Sequence, residues 1–437
     1  LENQDIPRQS QVQLIVAQHL LPVEGEPLSP GALAFQGGRI LEIGSPEALR
    51  QKFPDAEVKD YPRHTLIPGL VNAHADLSLT HFEKYPHPLP ENQEGRVLFS
   101  AWLINVSRFK SKLPIPDQQK AIREGLAISK RSGVTTLGDV CRYPVAIPLY
   151  EASGLRVTVL AEIENIQRQL AQEEFEQALA LIDEVEHAGK ARLRAGLAPF
   201  SAFTLSKNML RILANHAQQL QIPFHIVAAL FFGEMEFFYD SKGEVTSLLF
   251  KEAGWGPERL PPPHHMTPVQ YLHEIGLLKA KPAVLGCLHL GPTDMAILAN
   301  SGCDRIFAPL SFEKLQVGEV DWKKLLAEPS SWALATWGRA SGATLDLWDE
   351  MRAAFYDMED KIPRQAAAEA ILRAATLGGA RALRYSEEVG SLKKNKRADF
   401  LLIESPEGEG CLPAELIEQT RPERITASFV DGQPLPV

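Results

Sequence analysis

The 437 residues, 45% of them hydrophobic, suffice for one large domain with a sizeable core and a smaller one beside it. A formal charge of −10, spread without long acidic or basic blocks, argues against nucleic acid or an anionic membrane surface as the main partner. No apolar run approaches the length of a membrane span, and the polar start lacks a signal-peptide core. The four cysteines, Cys141, Cys287, Cys303 and Cys411, are too scattered for a disulfide framework or a zinc knuckle, so a reducing cytoplasm is the expected compartment.

Between Val12 and Ile43, short alternating apolar runs broken by Pro-Gly and Gly-Gly predict antiparallel strands and turns. The next stretch, LIPGLVNAHADLSLTH from Leu66 to His81, ends an apolar run on His74 and Asp76. At a period of two, both side chains would face one point of a strand end. That pairing suits a metal site, but it suits equally an Asp76 that caps a following helix beside an ordinary half-buried His74. A Pro-rich loop is expected from Tyr85 to Gln93.

From there helices alternate with short strands. Helical periods are read at Ala121–Arg131, Glu174–His187, Ser206–Gln219, Pro268–Leu277, Thr293–Asn300 and Trp322–Ala327. The strands are LIPGLVNAH, VTTLGDV, LRVTVLAEI, RLRAGLAP, IPFHIVAA, AVLGCLHL, DRIFAPL and WALATW. Eight strands separated by helices predict an α/β fold, a (β/α)₈ TIM barrel over 66–384. Residues 1–65 and 385–437 return to strand-and-turn composition and are expected to pair into a small β-sandwich. Phe231, Phe232, Phe237, Phe238 and Tyr239 form an aromatic patch after the fifth strand; on the C-terminal face of a barrel it could line a site or serve as a packed lid.

With this order in view, the chain resembles the amidohydrolase superfamily, and within it the aminohydrolase branch of deaminases and chlorohydrolases. The resemblance is carried by GGRILEIG, LIPGLVNAHADL, SGVTTLGDV, GLAPFSAFTLS, PFHIVAALFFGEMEF, VLGCLHLGPTDMAILANSG and VGSLKKNKRADFLLI, which follow one another in the family's order over nearly the whole chain. It implies a divalent metal held by an HxH pair on the first strand, a His on the fifth and an Asp on the eighth, with a further His on the sixth. Here the HxH pair reads His74-Ala75-Asp76, and the fifth-strand His is His225. The sixth-strand position reads Gly286, and the eighth-strand Gly-Thr-Asp reads Ala335-Thr336-Trp337. The family's proton-transferring Glu falls on Ala228, and its substrate-facing His on Phe200.

Two functions therefore remain. The first is an amidohydrolase homologue whose metal and proton-transfer residues are largely replaced, a binding scaffold with no cofactor. The second is an active hydrolase or deaminase of a small nucleoside-like or heterocyclic substrate, using His74, Asp76 and His225 as a two-His, one-carboxylate set for a weakly held zinc or iron. Glu234, Glu236, His264, His265 and His289 could compensate for the losses or simply be surface and structural groups. Either way a small-molecule ligand and a homo-oligomer are expected, with neither nucleic acid nor membrane as partner. The mouth of the barrel should be narrowed and apolar around Phe200, Phe231, Phe232 and Trp337.

Overall fold

The N-terminal segment forms β1 (Gln13–Leu20), β2 (Gly31–Gln36), β3 (Arg39–Gly44) and the long β4 (Glu57–Pro68). β1, β2 and β3 pair antiparallel in sequence, whereas β4 lies parallel to β1. The structure is a computed structural model and describes residues 11–84, 95–327, 331–342, 344–408 and 410–436. The expected Pro-rich loop at Tyr85–Gln93 lies outside the described residues.

At Gly69 the chain leaves this sheet and becomes β5 (Leu70–Ala75), the first strand of the barrel. A side chain cannot be placed at that junction, since a Cβ would lie 2.1 Å from Thr135 Oγ1. The barrel continues through β6 (Val134–Cys141), β7 (Arg156–Ile163), β8 (Leu193–Pro199), β9 (His225–Ala228), β10 (Ala283–Gly286), β11 (Asp304–Phe307) and β12 (Trp332–Leu334). Parallel pairing runs β5-β6-β7-β8 and β9-β10-β11-β12. Bridges at Leu197↔Phe224 and Ser201↔Val227 join the halves on one side, and Ala75↔Trp337 joins them on the other. The result is the (β/α)₈ barrel that the strand rhythm predicts. β6 and β7 are buried along their whole length, including the polar side chains of Thr135, Thr136, Asp139, Arg156, Thr158 and Glu162.

After the barrel, β13 (Phe400–Glu404), β14 (Ile425–Val430) and β15 (Gln433–Pro434) return to the N-terminal strands. β13 pairs antiparallel with β4, giving one seven-stranded mixed sheet ordered β15-β14-β13-β4-β1-β2-β3. The terminal segments thus associate as expected. Arg156, at the start of β7, ties the barrel to this sheet through ion pairs with Asp399 at 3.1 Å and Asp431 at 2.9 Å.

Most predicted helices form, several with longer ends, such as Arg168–Ala188 in place of Glu174–His187. One helix that the periods above do not include, Phe99–Lys112, lies against the barrel mouth. Its apolar stripe, Phe99, Trp102, Leu103, Val106 and Phe109, is buried at helical spacing.

Candidate functional site

β5 ends at Ala75, so His74 is still on the strand while Asp76 has already left it, at φ −131° and ψ 88° ahead of a 3₁₀ turn at Leu77–Leu79. The two side chains take different partners. The Asp76 side chain does not cap the following turn. His74 meets His225 from β9, with Nδ1 to Nδ1 at 3.2 Å and the rings stacked at 5.5 Å. His225 Nε2 lies 3.1 Å from the Ala382 carbonyl oxygen, and a carbonyl can only accept, so Nε2 carries the proton. His225 Nδ1 is then the acceptor and His74 Nδ1–H the donor. Burial, reinforced by His225, pushes His74 down to about 3. Burial likewise brings His225 down to about 4. Both rings are neutral at pH 7.

Asp76 belongs to a different cluster. Ser78 Oγ donates to its Oδ1 at 2.5 Å, and the Lys110 ammonium lies 2.6 Å from Oδ2. The same ammonium reaches both oxygens of Glu162, at 2.8 and 2.7 Å. Arg142 bonds Glu162 at 2.6 Å and Glu164 at 2.6 Å. Burial alone would push Lys110 down; Asp76 and Glu162 more than reverse it, so the ammonium stays charged. Against the upward push of burial, Arg142 and Lys110 bring Glu162 down to about 2. The chain has placed its own cation among the strand-end carboxylates. Under this cluster Asp139, on β6, accepts from Leu77 N at 2.9 Å and meets the Tyr150 hydroxyl at 2.6 Å. Burial pushes it up to about 8.

The other side of the mouth is aromatic. Trp337, 7% exposed, packs against Trp102 at 5.7 Å, Phe99 at 6.4 Å and Phe312 at 6.5 Å. Phe99 in turn meets Phe231 at 4.4 Å, and Phe231 meets Phe203 at 5.8 Å. The Trp337 backbone N–H donates to the His74 carbonyl at 3.0 Å, which closes the barrel there. Ala229, Cys287 and Trp337, just past Ala228, Gly286 and Thr336, all adopt left-handed φ of 51–57°. Such a backbone costs a non-glycine residue roughly 1 kcal/mol or more and is found where surrounding contacts enforce it. The chain therefore turns sharply at or just past Ala228, Gly286 and Trp337, and those three positions carry apolar or no side chains.

Several of the remaining candidates have structural partners. Glu234 is fully buried; its carboxylate accepts from Leu230 N at 3.0 Å, and burial pushes it up to about 8. His289 Nε2 bonds the Val317 carbonyl at 2.7 Å, and His81 pairs with Glu124 at 2.7 Å. Glu236 and His265 are exposed. The residue that sequence reasoning missed is Lys110. It falls on the buried stripe of its helix, four positions after Val106 and seven after Leu103, and a lysine on an apolar stripe signals a buried carboxylate partner.

As arranged, these donors do not fit a divalent ion: Asp76 is held by an ammonium, His225 spends Nε2 on a carbonyl, and Trp337 offers no donor atom. Among the described residues, no three His, Cys, Asp or Glu side chains close around one point.

A closed ring of eight parallel strands with polar groups near its strand ends defines the class as a (β/α)₈ barrel. The model of the amidohydrolase family matches residues 65–435, and the chain belongs to that family. Residues 31–56 also match a bacterial imidazolonepropionase-like composite domain. Among its relatives, a 5-methylthioadenosine/S-adenosylhomocysteine deaminase of Moorella thermoacetica is 27% identical over 95% of this chain and 91% of its own. An aminodeoxyfutalosine deaminase of Deinococcus radiodurans is 28% identical over 81% of each. Among solved structures, the aminofutalosine deaminase of Helicobacter pylori with methylthio-coformycin superposes with a TM-score of 0.83 at 20% identity, over 97% of this chain and 100% of the other. An adenosine deaminase of Xanthomonas campestris with bound zinc gives 0.80 at 22%, over 98% and 93%.

Proposed function

We propose that this chain keeps the amidohydrolase barrel as a small-molecule-binding scaffold and does not carry out the family's metal-dependent hydrolysis. One observation carries the reading: the Lys110 ammonium sits 2.6 Å from Asp76 and 2.7 Å from Glu162, a positive charge supplied by the chain among the carboxylates of the strand ends. Hydrolysis also needs a group to take a proton from water and another to protonate the leaving group, and losing one such group typically costs about 10²–10⁴ in rate. Ala228 and Trp337 can fill neither role. Four free cysteines suit a reducing cytoplasm, and no described helix is long and apolar enough to cross a membrane.

The relatives favour a second reading. Deaminases of nucleoside-like molecules align with 81–95% of this chain, which supports an active hydrolase or deaminase of a small nucleoside-like or heterocyclic substrate. For that, Lys110 would have to swing off Asp76 and leave His74, Asp76 and His225 to a zinc or iron. A panel of adenosine-like, guanine-like and triazine substrates with added zinc or manganese separates the two. The scaffold reading expects no turnover beyond that of the His74→Ala, His225→Ala protein. Turnover that this double substitution abolishes overturns it.

A further inference from the structure

A cavity of about 920 Å³ opens outside the barrel axis, between the segments that follow β7, β8 and β9. It is separate from the His74 and Asp76 cluster, neither of which lines it. Phe203 stands between the two: it lines the cavity, and it also touches Phe231, which continues through Phe99 to Trp337. The volume lies within the range of about 300–1,000 Å³ usual for small-molecule sites.

The lining is rich in aromatic rings that pack on one another. Phe237 stacks on Phe250 at 5.3 Å and 26°, Phe250 meets Trp255 at 5.1 Å, and Tyr271 meets Phe238 at 5.0 Å and His264 at 4.6 Å. Stacked and edge-on rings of this kind favour a flat aromatic guest over an aliphatic one. The rim is cationic. Arg168 and Lys207, both exposed, open the helices Arg168–Ala188 and Lys207–Leu220, and both line the cavity. Lys207 is only loosely held by Glu274, at 3.9 Å, and Glu173 is the one carboxylate of the lining. Burial pushes His264 down, so it adds no charge at neutral pH.

We infer that this lateral cavity is a binding site for an aromatic or heteroaromatic molecule carrying an anionic group, its ring among Phe238, Phe250, Trp255 and Tyr271 and its charge at Arg168 and Lys207. The inference goes beyond the scaffold reading and does not rest on it, because turnover at the barrel centre would leave the cavity unchanged.

The test is a fluorescence titration of the full chain with 8-anilinonaphthalene-1-sulfonate, and with N-phenyl-1-naphthylamine, which has the same rings and no sulfonate. Expected are one saturable sulfonate site per chain and energy transfer from tryptophan that falls in Trp255→Phe. The neutral amine should bind about tenfold or more weakly. Arg168→Gln with Lys207→Gln should weaken the sulfonate about tenfold and leave the amine within about twofold. Ile212→Glu, at a lining position that is 43% exposed and tolerant of substitution, should weaken both. Equal affinity for the two probes, or sulfonate binding indifferent to the rim substitutions, overturns the inference. So does a wild-type dimer that binds neither probe and dissociates on Ile212→Glu, since a second copy would then cover the cavity.

Discussion

The two halves of the barrel mouth are filled by opposite means. Toward β5, β6 and β7 the space holds charges, with Lys110 and Arg142 interleaved among Asp76, Glu162 and Glu164. Toward β8, β9 and β12 it holds rings, Phe203, Phe231 and Trp337, braced by Phe99 and Trp102. The helix Phe99–Lys112 supplies both, rings from its first turn and the ammonium from its last. A ring stands alone if its shape fits, whereas a buried charge is tolerable only while its partner is present. The halves should therefore fail differently.

The largest effect is expected from Lys110→Met. It leaves Asp76 and Glu162 buried without their shared ammonium, and breaking a buried pair from one side costs about 3–5 kcal/mol. Urea denaturation should show that loss, partly restored when Asp76→Asn is added. A loss below about 1 kcal/mol would mean that water or another cation neutralises the site equally well, and the contrast between the halves would collapse.

Trp337→Ala probes the aromatic half. Truncating a large buried ring leaves a cavity and should cost about 3 kcal/mol, with no relief from the φ of 51°, since alanine keeps the Cβ that left-handed backbone crowds. No charged substitution nearby should rescue it. If Lys110→Met and Trp337→Ala proved strongly non-additive, one coupled unit would replace two halves.

A smaller effect concerns pH. His74 and His225 are depressed to about 3 and about 4 in the folded chain, against about 6.5 when unfolded. The unfolded chain binds the extra protons below pH 6.5, so this contribution is complete above 6.5 and is lost as pH falls toward 4 and 3. His225→Gln should flatten stability against pH between 6 and 4 by up to about 1.4 kcal/mol per pH unit. An unchanged slope would show that the ring titrates normally. The smallest effect is that of a chelator: with Asp76 already paired, EDTA should move the melting temperature of the unsubstituted protein by less than about 1 °C. A drop of several degrees would put a bound metal back among these residues.

Much of the architecture was legible in the chain itself. Strand periods and turn residues predict eight barrel strands in order, because buried parallel strands are rich in apolar and β-branched residues and are bounded by turns. Of the residues that the family blocks single out, His74 lies one residue from the end of β5, Ala228 closes β9 and Trp337 falls past β12, whereas His225 opens β9. Local sequence could not reveal who pairs with whom. A period of two joins Asp76 to His74, yet β5 stops at Ala75 and the Asp76 carboxylate is paired with Lys110. Lys110 is distant from Asp76 and Glu162 in sequence and comes to them only because Phe99, Trp102 and Phe109 bury the helix that carries it. The His74–His225 bond and the cavity beyond Phe203 likewise exist only once the barrel has closed. Propensity and spacing act over a few residues, while the balance of charge in a buried site is struck between elements that meet only in the folded chain.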